Sequence, residues 1–307
     1  MKQTSATNPQ VSIVIPAYNG ARFLRSAVDS ILQQDYPNIE LLVFDDGSKD
    51  ETPQILEQYG EVFFWESHTN IGQAATLNKG WQKANGDILA YLSVDDILLP
   101  GAVTQAVEAL NRYPSNPVVY GHYDLINTEG KLIKRVLAPD FDYLRLVAQH
   151  EVQPGPGAFF RREAFEFTQG WNPHLRQTPD FDFWLKVGLL GNFKHINEVW
   201  AQFRVHTDSQ SYAEASPEKA EEYIDVIEHF YGRSDLPTEI TAIKSRAFAT
   251  THAVCARAHI RAGRYREALG HLLRLLNIDK SAIFNLRTWK MVLSGVRYRL
   301  SKLGTPY

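Results

Sequence analysis

Apolar residues along this chain follow two rhythms. In the N-terminal part, short unbroken apolar runs alternate with helical spacing. Val11-Ser12-Ile13-Val14-Ile15 reads as a buried strand. After Pro16-Ala17-Tyr18-Asn19-Gly20, residues Phe23, Leu24, Ala27, Val28, Ile31 and Leu32 recur at helical spacing, and Asn19 is placed to cap that helix. Further strands are predicted at 39–44, 62–65 and 87–92. Helices are predicted near 52–59 and over 72–84, where Asn85-Gly86 gives a stop, and Pro100 opens another. Strands alternating with helices predict an α/β fold with a mainly parallel sheet flanked by helices.

The middle of the chain mixes both rhythms. Residues 118–123 and 131–136 flank Asn127-Thr128-Glu129-Gly130 and predict a hairpin. In Gln153-Pro154-Gly155-Pro156-Gly157, the two glycines let backbone approach a ligand or turn sharply. Thr178-Pro179-Asp180 starts a helix running through Trp184 and Leu189, with strands expected at 193–196 and 199–205. From about Ser216 the pattern is wholly helical. A helical hairpin over 256–276 turns at Gly263, and its Gly-x-Tyr-x-x-Ala spacing is similar to one tetratricopeptide unit. One unit is not a stacked array, so the region reads as a helical appendage. The domain boundaries predicted are a polar tail at 1–10, an α/β domain at 11–215 and a helical region at 216–307.

Composition narrows the class. An apolar content of 44% excludes general disorder in a chain of 307 residues. The single cysteine, Cys255, rules out an internal disulfide and, on this reading, any thiolate zinc site. The polar start lacks the apolar core of a signal peptide, and no run approaches the roughly 18 apolar residues of a membrane span. A cytoplasmic protein is therefore expected, with no nucleic-acid partner. The net charge of −3 conceals an asymmetry, because the stretch 241–307 carries 13 Lys/Arg against two acids, Glu267 and Asp279. That stretch suits a polyanionic or membrane-surface partner, or presents a solvated basic face. Within it, Ile283, Phe284, Leu286, Trp289, Val292, Leu293 and Val296 form an apolar stripe among Arg287, Lys290, Arg297, Arg299 and Lys302. Such a helix lies on the inner face of an anionic membrane or packs on the helical hairpin.

Candidate chemistry lies at two strand ends. Asp95-Asp96 follow the apolar run 88–92, and Asp45-Asp46 follow the run 39–44. Paired carboxylates at the rim of a sheet supply hard oxygen ligands for Mg²⁺ or Mn²⁺ carrying a diphosphate, or else form turns and helix caps. Two acidic strand ends on one sheet suggest one shared site, because open α/β sheets bind ligands beyond the carboxyl ends of their strands.

These residues fall in motifs that resemble family 2 glycosyltransferases of the GT-A fold. Val11-Ser12-Ile13-Val14-Ile15-Pro16-Ala17-Tyr18-Asn19 is similar to the family's first strand and nucleotide loop. Asp45-Asp46-Gly47-Ser48-Lys49-Asp50-Glu51-Thr52 is similar to its second motif, and Asn70-Ile71-Gly72 with Asn78-Lys79-Gly80 to the segment before the metal motif. Leu92-Ser93-Val94-Asp95-Asp96 resembles the metal motif, Asp180-Phe181-Asp182-Phe183-Trp184-Leu185 the segment of the catalytic base, and Phe203-Arg204-Val205-His206 a late motif closing over the diphosphate. The resemblance spans about residues 11–211. It departs from the family pattern at Ser93 and Pro179, where acids are common, and at Leu77, where arginine is common.

The resemblance implies an inverting, metal-dependent transfer from a nucleotide-diphosphate sugar, with UDP as the expected carrier, to a glycan or lipid-linked acceptor. It implies nucleotide contacts from Pro16, Tyr18, Asn19, Asp45, Asp46, Asn78 and Asp95. Tyr18 offers an aromatic face to a base or packs under its loop, and Asp46 accepts the base N–H or bonds a turn. Asp96 is the metal ligand, with Asp95 and His206 as further candidates, and Arg204 and His206 face the diphosphate. Gly155 and Gly157 face the acceptor. Asp180 is the candidate base and Asp182 the alternative; Asp180 also suits the dipole at a helix start. Trp184 shares a helix face with Val187 and reads as core. Two rival functions remain: a non-catalytic nucleotide-sugar-binding protein, and a nucleotidyltransferase, whose Gly- and Lys/Arg-rich phosphate loop is absent from 16–20.

Overall fold

The computed structural model describes residues 8–206, 214–284 and 286–303, with the side chains of Ala282, Ile283, Lys302 and Leu303 outside that description. Most of the predicted polar tail and the end of the predicted 11–215 domain also lie outside the described residues. In chain order the elements begin β1 (Val11–Ala17), α1 (Leu24–Leu32), β2 (Ile39–Asp45), α2 (Thr52–Glu57), β3 (Phe64–Ser67), α3 (Gln73–Lys83) and β4 (Ile88–Tyr91). There follow β5 (Ile97–Leu98), α4 (Ala102–Arg112), β6 (Val118–Ile126), β7 (Leu132–Val136), α5 (Tyr143–Gln149), β8 (Phe159–Arg161), α6 (Arg162–Thr168), α7 (Pro179–Val187) and β9 (Lys194–Arg204). The C-terminal part carries α8 (Pro217–Tyr231), α9 (Thr238–Ala242), α10 (Lys244–Arg261), α11 (Tyr265–Ile278), a 3-10 turn at Lys280–Phe284 and α12 (Leu286–Leu303).

These elements divide into two units. One holds the described residues up to Phe141 with Gln153–Pro173 and Leu190–His206, and it contains the sheet. The other holds Asp142–Val152, His174–Leu189 and the described residues from 214 onward, and it is helical. The segment carrying Asp180 therefore belongs to the helical unit.

In the α/β unit β1 lies between β2 and β4, parallel to both, and β3 extends the parallel set beyond β2. Every residue of β1 is buried. Ile13 and Ile15 pack with Val28 of α1 and Val103 of α4, while Val14 faces Gly80 of α3, where any Cβ would collide with it. A strand covered on both faces reads as an unbroken apolar run, which is why the pattern at 11–15 was legible. The remainder of the sheet is mixed. β8 is antiparallel to β4 and β6, β9 runs parallel to β6, and β5 pairs antiparallel with β9. The chain places β2 and β3 on one side of β1 and β4 on the other, which opens a crevice at the carboxyl ends of β1 and β4.

Several local expectations change. Asn19 caps no helix: it holds a left-handed φ of 49°, and α1 begins later, at Leu24. The strands expected at 193–196 and 199–205 are one strand, β9, whose pairing with β6 shifts register between Tyr120 and His122, across Gly121, and again between His122 and Tyr123. A Cβ at Gly121 would lie 2.7 Å from the Glu198 carbonyl, so this glycine lets the polar Asn197-Glu198 stretch pass without breaking the strand. Pro100 precedes Gly101, the N-cap of α4, and so stands before the helix start.

In the helical unit α10 is central, packing on α5, α8, α11 and α12. Its small residues Ala249, Ala253 and Ala256 admit Leu275 of α11 and Val292 of α12. The apolar stripe of α12 divides. Val292 is buried against Ala256 and Ile260, whereas Leu286 and Leu293 are exposed, as is Phe284 just before the helix at 89%. No described helix is long and apolar enough to cross a membrane.

Candidate active site at the strand ends

The loops leaving β1, β2 and β3 are pinned to one another by short polar side chains. Asn19 N–H donates to Ser48 Oγ at 2.8 Å, and Lys49 N–H donates back to Asn19 Oδ1 at 2.8 Å. Gly20 N–H donates to Thr52 Oγ1 and Ala21 N–H to Asp50 Oδ2. Asp45 is fully buried, accepting from Ser48 N–H and from Ser67 Oγ. Asp46 accepts from the backbone N–H groups of Ile71 at 2.6 Å and Gly72 at 2.9 Å, and His68 Nδ1 stands 3.6 Å from it. Gly47 closes this corner in a left-handed conformation, φ 75°, with Asn70 N only 2.8 Å from where a Cβ would sit. Beside these tied loops Tyr18 is 48% exposed, while Pro16 is buried within β1.

The second acidic pair sits in a turn between β4 and β5, closed by Asp96 N–H donating to Ser93 O at 3.0 Å. The pairing of Ile97 with Gln202 brings the end of β9 alongside this turn. Arg204 N–H donates to Asp96 Oδ1 at 2.9 Å, and its Nε donates to the Asp95 carbonyl at 2.9 Å. Its Nη1 donates to the carbonyls of Asn127 and Thr128, because Ile126 pairs with Arg204 across β6 and β9. His206 Nε2 lies 2.9 Å from Asp95 Oδ2. The Phe23 ring lies against both side chains, 4.6 Å from the Arg204 guanidinium and 5.5 Å from the His206 ring. Asp95, Asp96, Arg204 and His206 thus form one cluster. It adjoins the β1 loop through Phe23 and through Gly20, where a Cβ would meet Val94 at 2.5 Å.

Asp96 is 2% exposed, and burial, then the Asp95 charge, pushes its carboxyl well above the usual carboxylate range. Oδ1 takes the Arg204 amide; Oδ2 has no hydrogen-bond partner among the described residues. A buried carboxylate with one unused oxygen, beside a second carboxylate and an imidazole, is a donor set that fits Mg²⁺ or Mn²⁺.

The other sequence candidates take no part in these bonds among the described residues. Asn78 is tied both ways to Trp171: its Nδ2 donates to the Trp171 carbonyl at 2.7 Å, and its Oδ1 accepts from Trp171 N–H at 2.8 Å. Gly155 backs onto the Tyr123 ring, and Gly157, φ 75°, backs onto Ala201. In the helical unit, Asp182 is buried and paired with Lys186 Nζ at 2.6 Å, one turn along α7. Asp180 is half-buried, and burial raises its carboxyl above the usual range. Among the described residues, Asp96 and Asp180 are the two carboxyls pushed upward. Trp184 is buried, as a core residue should be.

Sequence reasoning assigned no role to Phe23, to the Asn127 and Thr128 carbonyls, or to Glu222. Glu222 of α8 takes the backbone N–H groups of Arg176 at 2.8 Å, Gln177 at 2.6 Å and Thr178 at 3.1 Å, and so holds the entry to α7. Backbone partners carry no side-chain signature, so only the spacing of Phe23 from the nucleotide loop could have signalled its place.

This geometry agrees with what comparison finds. Residues 12–168 match the model described as glycosyl transferase family 2. The chain is 32% identical over 213 residues to an uncharacterized glycosyltransferase of Rickettsia prowazekii, covering 67% of each. It is 30% identical over 224 residues to a chondroitin synthase of Pasteurella multocida, covering 70% of this chain but 23% of that protein. Two solved structures share the fold. TarS 1-349 from S. aureus, in complex with UDP-GlcNAc, has a TM-score of 0.68 at 18% identity, over 97% of this chain and 93% of that one. The mannosyltransferase PcManGT from Pyrobaculum calidifontis, in complex with GDP-Man and Mn²⁺, has a TM-score of 0.60 at 19% identity, over 96% and 86%. Polysaccharide synthases are thus among the relatives, and the structural neighbours establish a GT-A type fold with a helical C-terminal region. The chain belongs to glycosyl transferase family 2 and is a glycosyltransferase.

Proposed function

We propose that this enzyme moves a sugar, with inversion, from a UDP-sugar to a hydroxyl of a growing glycan, using Mn²⁺ or Mg²⁺. The observation that carries this reading is the Asp95–Asp96–Arg204–His206 cluster at the carboxyl edge of the sheet, with one Asp96 oxygen unpartnered among the described residues. Asp96, with Asp95 and His206, would hold the metal. Bound there, the metal supplies positive charge to the departing diphosphate.

The chain's own groups divide the remaining work. Tyr18, exposed beside the loop of β1, offers its ring to the base, and Asp46 accepts the base N–H on a lone pair not used by Ile71 or Gly72. Arg204 donates from its guanidinium to the carbonyls of Asp95, Asn127 and Thr128, so its role is to fix the Asp95–Asp96 turn and bring positive charge beside the diphosphate, and His206 stands with Asp95. Asp180 is the base. Its carboxylate takes the proton of the acceptor hydroxyl as that oxygen bonds to the anomeric carbon, the bond to the diphosphate breaks, and the proton remains on Asp180. Asp182 is less suited, because Lys186 already neutralises it.

Kinship with the chondroitin synthase supports the acceptor class, and the TarS complex motivates UDP, with GDP as the comparison arm because of PcManGT. A thermal-shift screen of nucleotide-diphosphate sugars with and without Mn²⁺, followed by isotopic transfer to oligosaccharide acceptors, tests the reading. Metal-dependent stabilisation by a UDP-sugar and measurable transfer support it. Binding without transfer to any acceptor would return the non-catalytic alternative.

A second reading concerns location. Phe284, Leu286 and Leu293 stand exposed in a strongly basic stretch, which suits peripheral contact with an anionic membrane and a lipid-linked acceptor. Salt-sensitive sedimentation with anionic vesicles is expected, and its absence would leave Val292 packing as the purpose of the stripe.

A further inference from the structure

The helical unit buries a second group of metal-ligating side chains, remote in sequence from the acidic motifs. His252, Cys255 and His259 share one face of α10 at spacings of three and four residues. His271 comes from α11 and Glu221 from α8. All three histidines are buried, as is the Cys255 thiol. Glu221 Oε1 lies 2.8 Å from His259 Nε2 and 2.8 Å from His271 Nε2. Arg264 Nε donates to His259 Nδ1 at 2.9 Å, which fixes that ring with its N–H toward Glu221. His252 Nδ1 and His271 Nδ1 face each other at 3.0 Å.

Donor atoms of Glu221, Cys255 and His271 all lie within 4.8 Å of one another. In a tetrahedral zinc site, metal–ligand bonds of about 2.0–2.3 Å place donors roughly 3.3–3.6 Å apart. Closing the set therefore asks for less movement than one side-chain rotation, from α10 and the two helices, α8 and α11, already packed on it. One thiolate, imidazole nitrogen and one carboxylate oxygen make a mixed, borderline-soft donor set that selects zinc-class ions over Mg²⁺ or Mn²⁺. The pair at Asp95–Asp96 has the opposite preference.

We infer that Cys255, His271 and Glu221, with His252 beside His271, form a structural site for a zinc-class divalent ion that ties α8, α10 and α11 together. His259 and Arg264 orient Glu221 from behind, the place that outer-sphere partners take in such sites. On coordination the Cys255 thiol releases its proton to solvent. Counting cysteines hides a site of this kind, since only one of its ligands is a thiolate; the exclusion drawn from the lone cysteine holds for thiolate-rich clusters alone.

Cobalt(II) titration of the chelator-treated full chain, followed by absorption, is the direct test. Because the sequence has a single cysteine, a thiolate-to-cobalt charge-transfer band can only report Cys255. One equivalent of Co²⁺ is expected to produce that band, and Zn²⁺ to bleach it while raising the melting temperature. Asp96→Ala should keep the band. Cys255→Ser should lose it, and His271→Gln should weaken Zn²⁺ binding by more than the roughly 10- to 100-fold typical of outer-sphere partners. A folded wild-type chain that takes up Co²⁺ without the band, or takes up none, would overturn the inference whatever the variants do, leaving the cluster a hydrogen-bonded seam.

Discussion

At the carboxyl edge of the sheet, Asp45, Asp46 and Asp96 are held by backbone amides and the Ser67 hydroxyl of β3, with no Lys or Arg side chain hydrogen-bonded to them among the described residues. In the helical unit, Asp182 is neutralised by Lys186, while Glu221 sits against two imidazole rings. Amides fix a carboxylate in place without cancelling its charge, so an acid held this way still attracts a cation. A salt bridge spends that charge internally. Asp96 and Asp180 are the exceptions within their surroundings: both are pushed upward by burial, and no Lys or Arg side chain donates to either carboxylate among the described residues. Groups arranged this way are destabilising when ionised, and such arrangements concentrate at functional sites.

The largest effect that would break this comparison is expected at Asp180. Asp180→Asn should slow transfer on the order of 10²- to 10⁴-fold, the range of general base catalysis, with UDP binding unchanged. If Asp182→Asn shows the greater loss, the neutralised carboxylate was the base after all. The same substitution separates charge from structure through stability. Asp180 has a higher pKa folded than unfolded, so the folded state carries a penalty for holding it ionised. That penalty is full above the folded pKa and is relieved as pH falls through it toward the unfolded value. Asp180→Asn should therefore raise the melting temperature at neutral pH, and the gain should shrink on acidification. Turnover moves the other way with the same group, falling as pH drops through the raised pKa. A pH–rate profile flat down to the ordinary carboxylate range would contradict the assignment.

Next in size are positions that hold the acids in place. Glu222→Ala leaves three amides at the entry to α7 without their carboxylate, a loss of about 1–3 kcal/mol in chemical denaturation. The drop should appear in kcat more than in KM for the donor, because α7 carries Asp180. Gly47→Ala forces a Cβ against Asn70 N in a left-handed conformation, which costs about 1–3 kcal/mol and loosens the Asp46 corner. Its signature is weaker nucleotide binding with normal metal dependence. An equal fall in kcat alone would mean that the corner serves catalysis and not the base.

The two units also differ in how far their sequence could be read. β1, β2 and β4 were legible because each is an apolar run closed by a polar loop, and burial on both faces demands that pattern, whereas β3, a partly exposed edge strand, begins two residues later than predicted. The Asp95–Asp96 and Arg204–His206 groups were named from motifs, and the register of β5 on β9 explains why they meet. β8 escaped notice because three residues carry no period, and its pairing with β4 and β6 is purely non-local. Asn19 was read as a cap because its type suits one; its side chain instead accepts from Lys49 in the next loop, a contact no local pattern encodes. In the helical unit, amphipathic spacing identified the helices, but the Glu221–His259–His271 cluster joins residues from three of them and has no signature in any single segment.

Calorimetry of UDP binding, with and without Mn²⁺, on the wild type and on Asp96→Ala tests the central claim most directly. The account predicts that the wild type binds UDP far more tightly with Mn²⁺, and that Asp96→Ala loses this metal-dependent gain by more than about 10- to 100-fold, the loss seen when merely an outer-sphere partner is removed. The variant should keep the wild-type fold by circular dichroism. UDP affinity that ignores Mn²⁺ in the wild type, or that survives unchanged with its metal dependence in Asp96→Ala, would contradict it.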